Sequence, residues 1–292
     1  MRRLLIASMV AVVLAPAPAF AWGTEAHYFI MDRAIALLPA ELRPLFEKHR
    51  AEVIQRMVDP DTWRVAGFGE EDPNHFLDID VPEYGKYPFT DLPRDLDAAI
   101  QKFGMERVRQ NGLVPWRATE MYGNLRRAFE AYPDRGGRNN ILFFAAWMSH
   151  YVSDAHQPFH GIANYNGQRS GQVGVHARFE GVLFERFRGR LRFEPRPIAP
   201  VRNPRDFIFD AVLQDTQLAP TILEADRRAI GDRDVYDDAY YEAFFNGARD
   251  VMERRVNDSI AAVAAMITGA WEAAGKPPVP VEPPVQVQRR RR

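Results

Sequence analysis

Apolar residues recur at spacings of three and four along residues 28–38, 116–132, 141–152, 179–187, 207–223 and 240–271, the period that lines one face of an α-helix with side chains. The period-two alternation of a half-buried strand is scarce. Stretches rich in Pro, Gly and Asp separate the periodic segments at residues 65–91, 133–137, 161–174 and 189–204, and these predict loops. The pattern predicts an all-α fold. No internal repeat is evident and no linker-like shift in composition occurs before residue 275, so residues 22–274 read as one mostly helical domain with long loops. Residues 275–292, ending in KPPVPVEPPVQVQRRRR, read as a Pro-rich, extended and disordered tail with a solvated basic tip.

The first 21 residues carry Arg2 and Arg3, an apolar run from Leu4 to Leu14, and the small-residue pattern Ala19-Phe20-Ala21. This is the signature of a signal peptide cleaved after Ala21, which predicts a soluble, exported protein, periplasmic or extracellular, that begins at Trp22. The apolar run is too short to span a membrane, and no second run of about 20 apolar residues follows. No transmembrane segment is therefore expected in the mature chain. The formal charge is -1 for the whole chain, -3 without the signal arginines, and -7 when Arg289 to Arg292 are also set aside. Bound cations would offset part of that negative charge.

The candidate chemistry is concentrated in one stretch. Four of the seven histidines lie between His150 and His176, in the strings HYVSDAHQPFH and HARFE. His150 with Asp154, and His176 with Glu180, are pairs spaced by four residues, so each pair shares a helical face. His160 follows Pro158, where a helix ends or bends and can aim another ligand at the same point. With no cysteine in the chain, a zinc-type site must be built from nitrogen and oxygen donors, which suits an open catalytic site better than a closed thiolate one.

These strings, together with Trp-Gly just after the signal site, resemble the superfamily of zinc-dependent phospholipases C and single-strand-specific nucleases, with the mung bean type nucleases the nearer branch. The resemblance covers Trp22 to Glu180. It implies a helical domain with three zinc ions, held by the amino and carbonyl groups of the mature N-terminal tryptophan, five histidines and several carboxylates. Carried over by position, Asp61, His75, His150 and Asp154 would hold the first zinc, and His160, His176 and Glu180 the second. Trp22, His27 and Asp154 would hold the third, with Asp154 bridging. The Trp22 amino group becomes a ligand only once the signal is cleaved, because a peptide nitrogen lacks the basic lone pair. His49 and His156 receive no ligand role, and His156 reads as supporting or structural.

The segment Val58-Asp59-Pro60-Asp61-Thr62-Trp63-Arg64 holds two candidate aspartates. Pro favours the first position of a helix and Asp the capping position before it, which gives Asp59 a structural task and leaves Asp61 to ligate. The nuclease branch also has Asp, two residues, then Arg, and Asp61 to Arg64 fits. The chain departs from that branch in lacking disulfides, in having Glu180 where an aspartate is usual, and in the short connector GIANYNGQRSGQVGV, so base recognition does not transfer. A glutamate at that place resembles the phospholipase branch.

The expected function is a secreted zinc-dependent phosphodiesterase, an endonuclease for single-stranded DNA or RNA. A water bridging two metals would attack phosphorus, with Asp61 or Asp154 orienting it and Arg64 stabilising phosphoryl charge. Exposed aromatics for base stacking are sought among Phe68, Tyr84, Tyr87, Phe89 and Tyr165. Phospholipase C activity on lipid headgroups is the alternative substrate class. A non-catalytic di-iron helical protein using His-x-x-x-Glu pairs is the reading from a different class. No stable protein partner is implied.

Overall fold

The computed structural model describes residues 22–132 and 137–282. The expected signal peptide and the arginine tip of the tail lie outside the described residues. Within them the secondary structure is helical throughout, with no strand, in agreement with the all-α expectation. The helices are α1 (Thr24–Leu37), α2 (Arg43–Lys48), α3 (Arg50–Arg56), α4 (Asp59–Val65), α5 (Leu96–Phe103), α6 (Met105–Gln110), α7 (Val114–Glu130), α8 (Gly137–Asp154), α9 (Val175–Ala177), α10 (Phe184–Phe187), α11 (Pro204–Ile230) and α12 (Asp238–Ala273). Between α9 and α10 the chain winds as a π-helix over Arg178–Leu183.

Each of the six periodic segments coincides with a helix. The five short helices α2 to α6 were not read from the sequence, since six to eight residues span about two turns, too few for the period to show. The long helices stop and start for local reasons. Asp95 caps α5 by accepting from the Ala98 N–H at 3.0 Å, and Asp237 caps α12 by accepting from the Tyr240 N–H at 2.8 Å, each satisfying an amide the helix cannot.

Helices α7 and α8 pack as one pair and α11 and α12 as another, with α1 laid against α12. The middle of α12, Ile260 to Ile267, is buried on every face, as expected for a helix at the centre of a bundle. Residues 275–282, assigned to the tail from sequence, lie against this body. Trp271 donates its indole N–H to the Pro277 carbonyl at 2.8 Å, Tyr132 its hydroxyl to that of Pro280 at 3.1 Å, and Val279 is buried. Among the described residues no helix is long and apolar enough to cross a membrane.

Candidate metal centre

Seven elements of secondary structure, two of them contiguous, deliver the candidate ligands to one place. His27 comes from the first turns of α1, Asp61 from α4, His75 from the end of a 3-10 turn (Asp72–His75), and His150 and Asp154 from the last turns of α8. His160 sits on the 3-10 turn Pro158–Gly161, His176 on α9, and Glu180 on the π-helix. The His75 segment is stitched in from both sides. The Leu77 N–H donates to the His160 carbonyl at 2.8 Å, and the Val114 and Leu113 amides donate to Phe76 and Pro73 at 3.1 and 2.7 Å.

Asp154 lies at the centre of the cluster. Its Oδ2 is 3.0 Å from His75 Nδ1 and 3.2 Å from His150 Nε2, whereas its Oδ1 is 3.3 Å from His27 Nε2. The two oxygens of one carboxylate thus face two different sets of imidazoles, the arrangement of a bridging ligand. Asp61 Oδ1 lies 3.7 Å from His75 Nδ1 and 4.0 Å from His150 Nε2. On the other side His160 Nε2 and His176 Nε2 are 3.2 Å apart, and Glu180 Oε2 is 2.7 Å from the latter. Donor atoms converge in three groups: His27, Asp61 and His150; His75, His150 and Asp154; and His160, His176 and Glu180.

The residues fit cations on two independent grounds. Two nitrogens bound to one tetrahedral zinc at about 2.0–2.1 Å stand roughly 3.3 Å apart, close to the imidazole spacings of 3.0 and 3.2 Å here. None of the eight residues is more than 4% exposed. Yet both nitrogens of His27, both oxygens of Asp61, Oδ1 of Asp154 and ring nitrogens of His75, His150 and His176 have no hydrogen-bond partner. So many orphaned polar atoms buried in one place are costly unless something positive satisfies them.

Protonation follows the same logic. Burial pushes His160 and His176 down to about 3, which leaves neutral imidazoles with lone pairs to offer. Burial, then the charge of His150, also lowers His27. Burial alone would raise Asp154, but the charge and hydrogen bond of His150, with His27 and His75 close beside it, hold it well below the usual carboxylate range. For Glu180 burial wins and the carboxyl is raised well above its ordinary value, against a hydrogen bond from Gln157. A nearby cation reverses that preference.

Supporting residues orient the ligands. His160 donates Nδ1–H to the His75 carbonyl at 2.7 Å, which turns Nε2 to the cluster. Gln157 donates from Nε2 to Glu180 at 2.7 Å while its Oε1 accepts from the Phe159 N–H at 2.6 Å. Glu71 lies 3.8 Å from His75 Nε2 and accepts from the Tyr151 hydroxyl. The contacts of His160 with His75, Gln157 with Glu180 and Tyr151 with Glu71 are not visible in sequence, because they join residues far apart in the chain.

His156 stays out of the cluster, donating Nδ1–H to the Val152 carbonyl at 2.7 Å, and His49 pairs with Glu52 at 3.5 Å. Asp59 differs from its expected capping role. Val58 is the N-cap residue of α4, and Asp59, already inside the helix, accepts from the Trp147 indole at 3.0 Å. That indole turns Asp59 outward, and Asp61 faces the ligands. Trp22 is fully buried ahead of α1 with its ring 6.0 Å from that of Phe179. Gly23 lies so near Gly181 that an added Cβ would stand 3.2 Å from its Cα, which places this segment beside the π-helix that carries Glu180.

A cavity of about 630 Å³ opens onto His75, His160 and His176. Arg64, Phe76, Phe159, Tyr165, Asp72 and Asp78 line it further. Arg64 NH2 is 3.3 Å from Asp61 Oδ1. Of the five loop aromatics sought from sequence, only Tyr165 lines this cavity; Tyr84 and Phe89 are buried, and Phe68 and Tyr87 are exposed elsewhere. Phe76 and Phe159 were missed, though each adjoins a ligand histidine in sequence. Asp78, also missed, is pushed up to about 7 by burial and by the charge of Asp80, against that of Arg169. Compared with protein-family models and with curated proteins, the chain matches none.

Proposed function

We propose that the chain is a zinc-dependent phosphodiesterase of the single-strand-specific nuclease type, with single-stranded nucleic acid as its substrate. The observation that carries this reading is the convergence of three buried nitrogen and oxygen donor groups, with the two oxygens of Asp154 facing imidazoles from two of them, beside a cavity lined by an arginine and three aromatic rings. Asp61, His75, His150 and Asp154 would hold one ion, and His160, His176 and Glu180 a second. His27, Asp154 and the backbone of Trp22 would hold the third.

Zinc in such a site supplies Lewis acidity and lowers the pKa of water from about 16 toward 7. The chain's own residues do the rest. Arg64 neutralises charge on the non-bridging phosphoryl oxygens of a phosphodiester seated in the cavity. Asp61 or Asp154 would orient the attacking water by accepting a hydrogen from it; the water oxygen bonds to phosphorus as the ester oxygen leaves with a proton. Phe76 and Tyr165, which are not buried, offer π-faces on which flanking bases stack.

Glu180 favours a second reading, phospholipase C, because the resemblance associates a glutamate at that place with the lipid branch. Incubating the zinc-loaded protein in parallel with single-stranded DNA, RNA and phosphatidylcholine separates the two. The proposal expects cleavage of the nucleic acids; headgroup release from the lipid alone would transfer the assignment, and cleavage of none would remove both.

A further inference from the structure

Arg178 stands between the ligands His176 and Glu180 in the chain, yet its guanidinium reaches away to two other helices and a loop. Its Nε–H donates to Tyr240 Oη on α12 at 2.8 Å, and one terminal nitrogen donates to Asp226 Oδ1 on α11 at 3.0 Å. The other terminal nitrogen donates to the Val173 carbonyl at 2.9 Å. Tyr240 donates its hydroxyl to the same Asp226 oxygen. The second Asp226 oxygen accepts from Gln172 Nε2 at 2.7 Å, which also donates to the Leu223 carbonyl at 2.7 Å. Arg178, Asp226 and Tyr240 are buried, and the ring of Tyr236 covers the guanidinium at 4.1 Å.

Two features tie this network to the donor groups rather than to general stability. Arg178 opens the π-helical turn that carries Glu180; π-helix is rare and occurs mostly as single turns at functional sites. The network also closes the loop that leads from His160 to His176. Gly174, at a φ of 87°, would place any Cβ 2.9 Å from the Arg178 terminal nitrogen, so the guanidinium can approach the loop backbone only because a glycine is there. Within that loop Asn164 accepts from the Arg169 amide at 2.7 Å and Asn166 from the Gly174 amide at 3.0 Å. The loop that presents Tyr165 is therefore held from inside and anchored at its end.

We propose that Arg178, Asp226, Tyr240 and Gln172 are positioning residues that hold the His176 and Glu180 pair, and with it the Tyr165 loop, in register with His160. Cation affinity at this one donor group then depends on contacts made on the far side of the helix. The inference rests on the metal-centre reading above. A buried ionic network of this kind is weak evidence for stability by itself, whereas residues that orient ligands without touching the metal are typically worth about 10–100-fold in affinity.

The test is a cobalt(II) titration of the chelator-stripped full chain, read by visible absorption, with His176→Ala defining the part of the signal that belongs to the group. Tyr240→Phe and Gln172→Ala each remove one hydrogen-bonding group without opening a large cavity, and circular dichroism reports whether each variant is folded. The expected result is a loss of affinity of about 10-fold or more at that group, with the remaining cobalt signal unchanged. Folded variants that bind cobalt there as the wild type does, or that weaken equally at every group, would overturn the inference. A wild-type protein with no signal removable by His176→Ala would instead remove the metal-centre reading on which it stands.

Discussion

Asp154 faces histidines with both of its oxygens, and its charge is what keeps the surrounding imidazoles together. Replacing it by Asn leaves the shape and removes the charge and one acceptor. Asp154→Asn is expected to bind less zinc after stripping and reloading, and to lose hydrolysis on the order of 100-fold or more, measured as metal content and as turnover on the same sample. Undiminished zinc binding would contradict its place as a bridge. At this scale the sequence was informative where spacing is local: the pairs His150 with Asp154 and His176 with Glu180 announce a shared face, and the scarcity of histidine narrows the rest. It was silent on Gln157 against Glu180, because an ordinary Gln gives no sign of which ligand it will meet across the fold. Asp61 lies at the cluster and Asp59 does not, and an indole rather than the expected capping role holds Asp59.

Among the elements, the end of α8 does the most to build the centre. The helix brings His150 and Asp154 one turn apart, then stops. Pro158 opens the 3-10 turn that presents His160, and that turn packs against α11. Gly161 is the point of closest approach: a Cβ there would stand 3.0 Å from that of Asp215 and 3.2 Å from the Val212 carbonyl. Gly161→Ala is therefore expected to push the His160 turn off α11, costing about 1–3 kcal/mol in a denaturant melt of the metal-free protein and weakening zinc binding. A neutral melt would show that the turn yields at no cost. The long helices were legible because their period runs for three turns or more. Helices α2 to α6 were not, and neither was the π-helical turn, whose residues carry no pattern that separates it from the α-helix on either side.

For the molecule as a whole, burying so many ionisable groups makes stability depend on pH. His156, outside the cluster, is driven down to about 3 by burial and then by the charge of Arg255, while an unfolded histidine titrates near 6.5. Below about pH 6.5 the unfolded state takes up a proton that the folded state refuses, so this group destabilises the fold progressively as pH falls toward 3. Asp215, pushed up to about 8 by burial against the charge of Arg255, acts in the opposite direction over an overlapping range. The difference between wild type and variant isolates the histidine. His156→Gln is expected to cost stability at pH 7.5, where its loss of packing dominates, and to close that gap as the pH falls to 4.5. A gap in melting temperature independent of pH would contradict a neutral, buried His156. The all-α class and the single helical body were readable from the pattern; the pairing of helices and the path of residues 275–282 over the bundle were not, since both depend on which apolar faces meet.

The most direct measurement is a zinc titration of the chelator-stripped protein followed by hydrolysis of single-stranded DNA. The proposed three-zinc centre predicts no cleavage by the stripped protein, and activity that rises with added zinc and levels off near three equivalents. Cleavage that survives complete removal of metal, or none at any zinc level, would contradict a zinc-dependent phosphodiesterase.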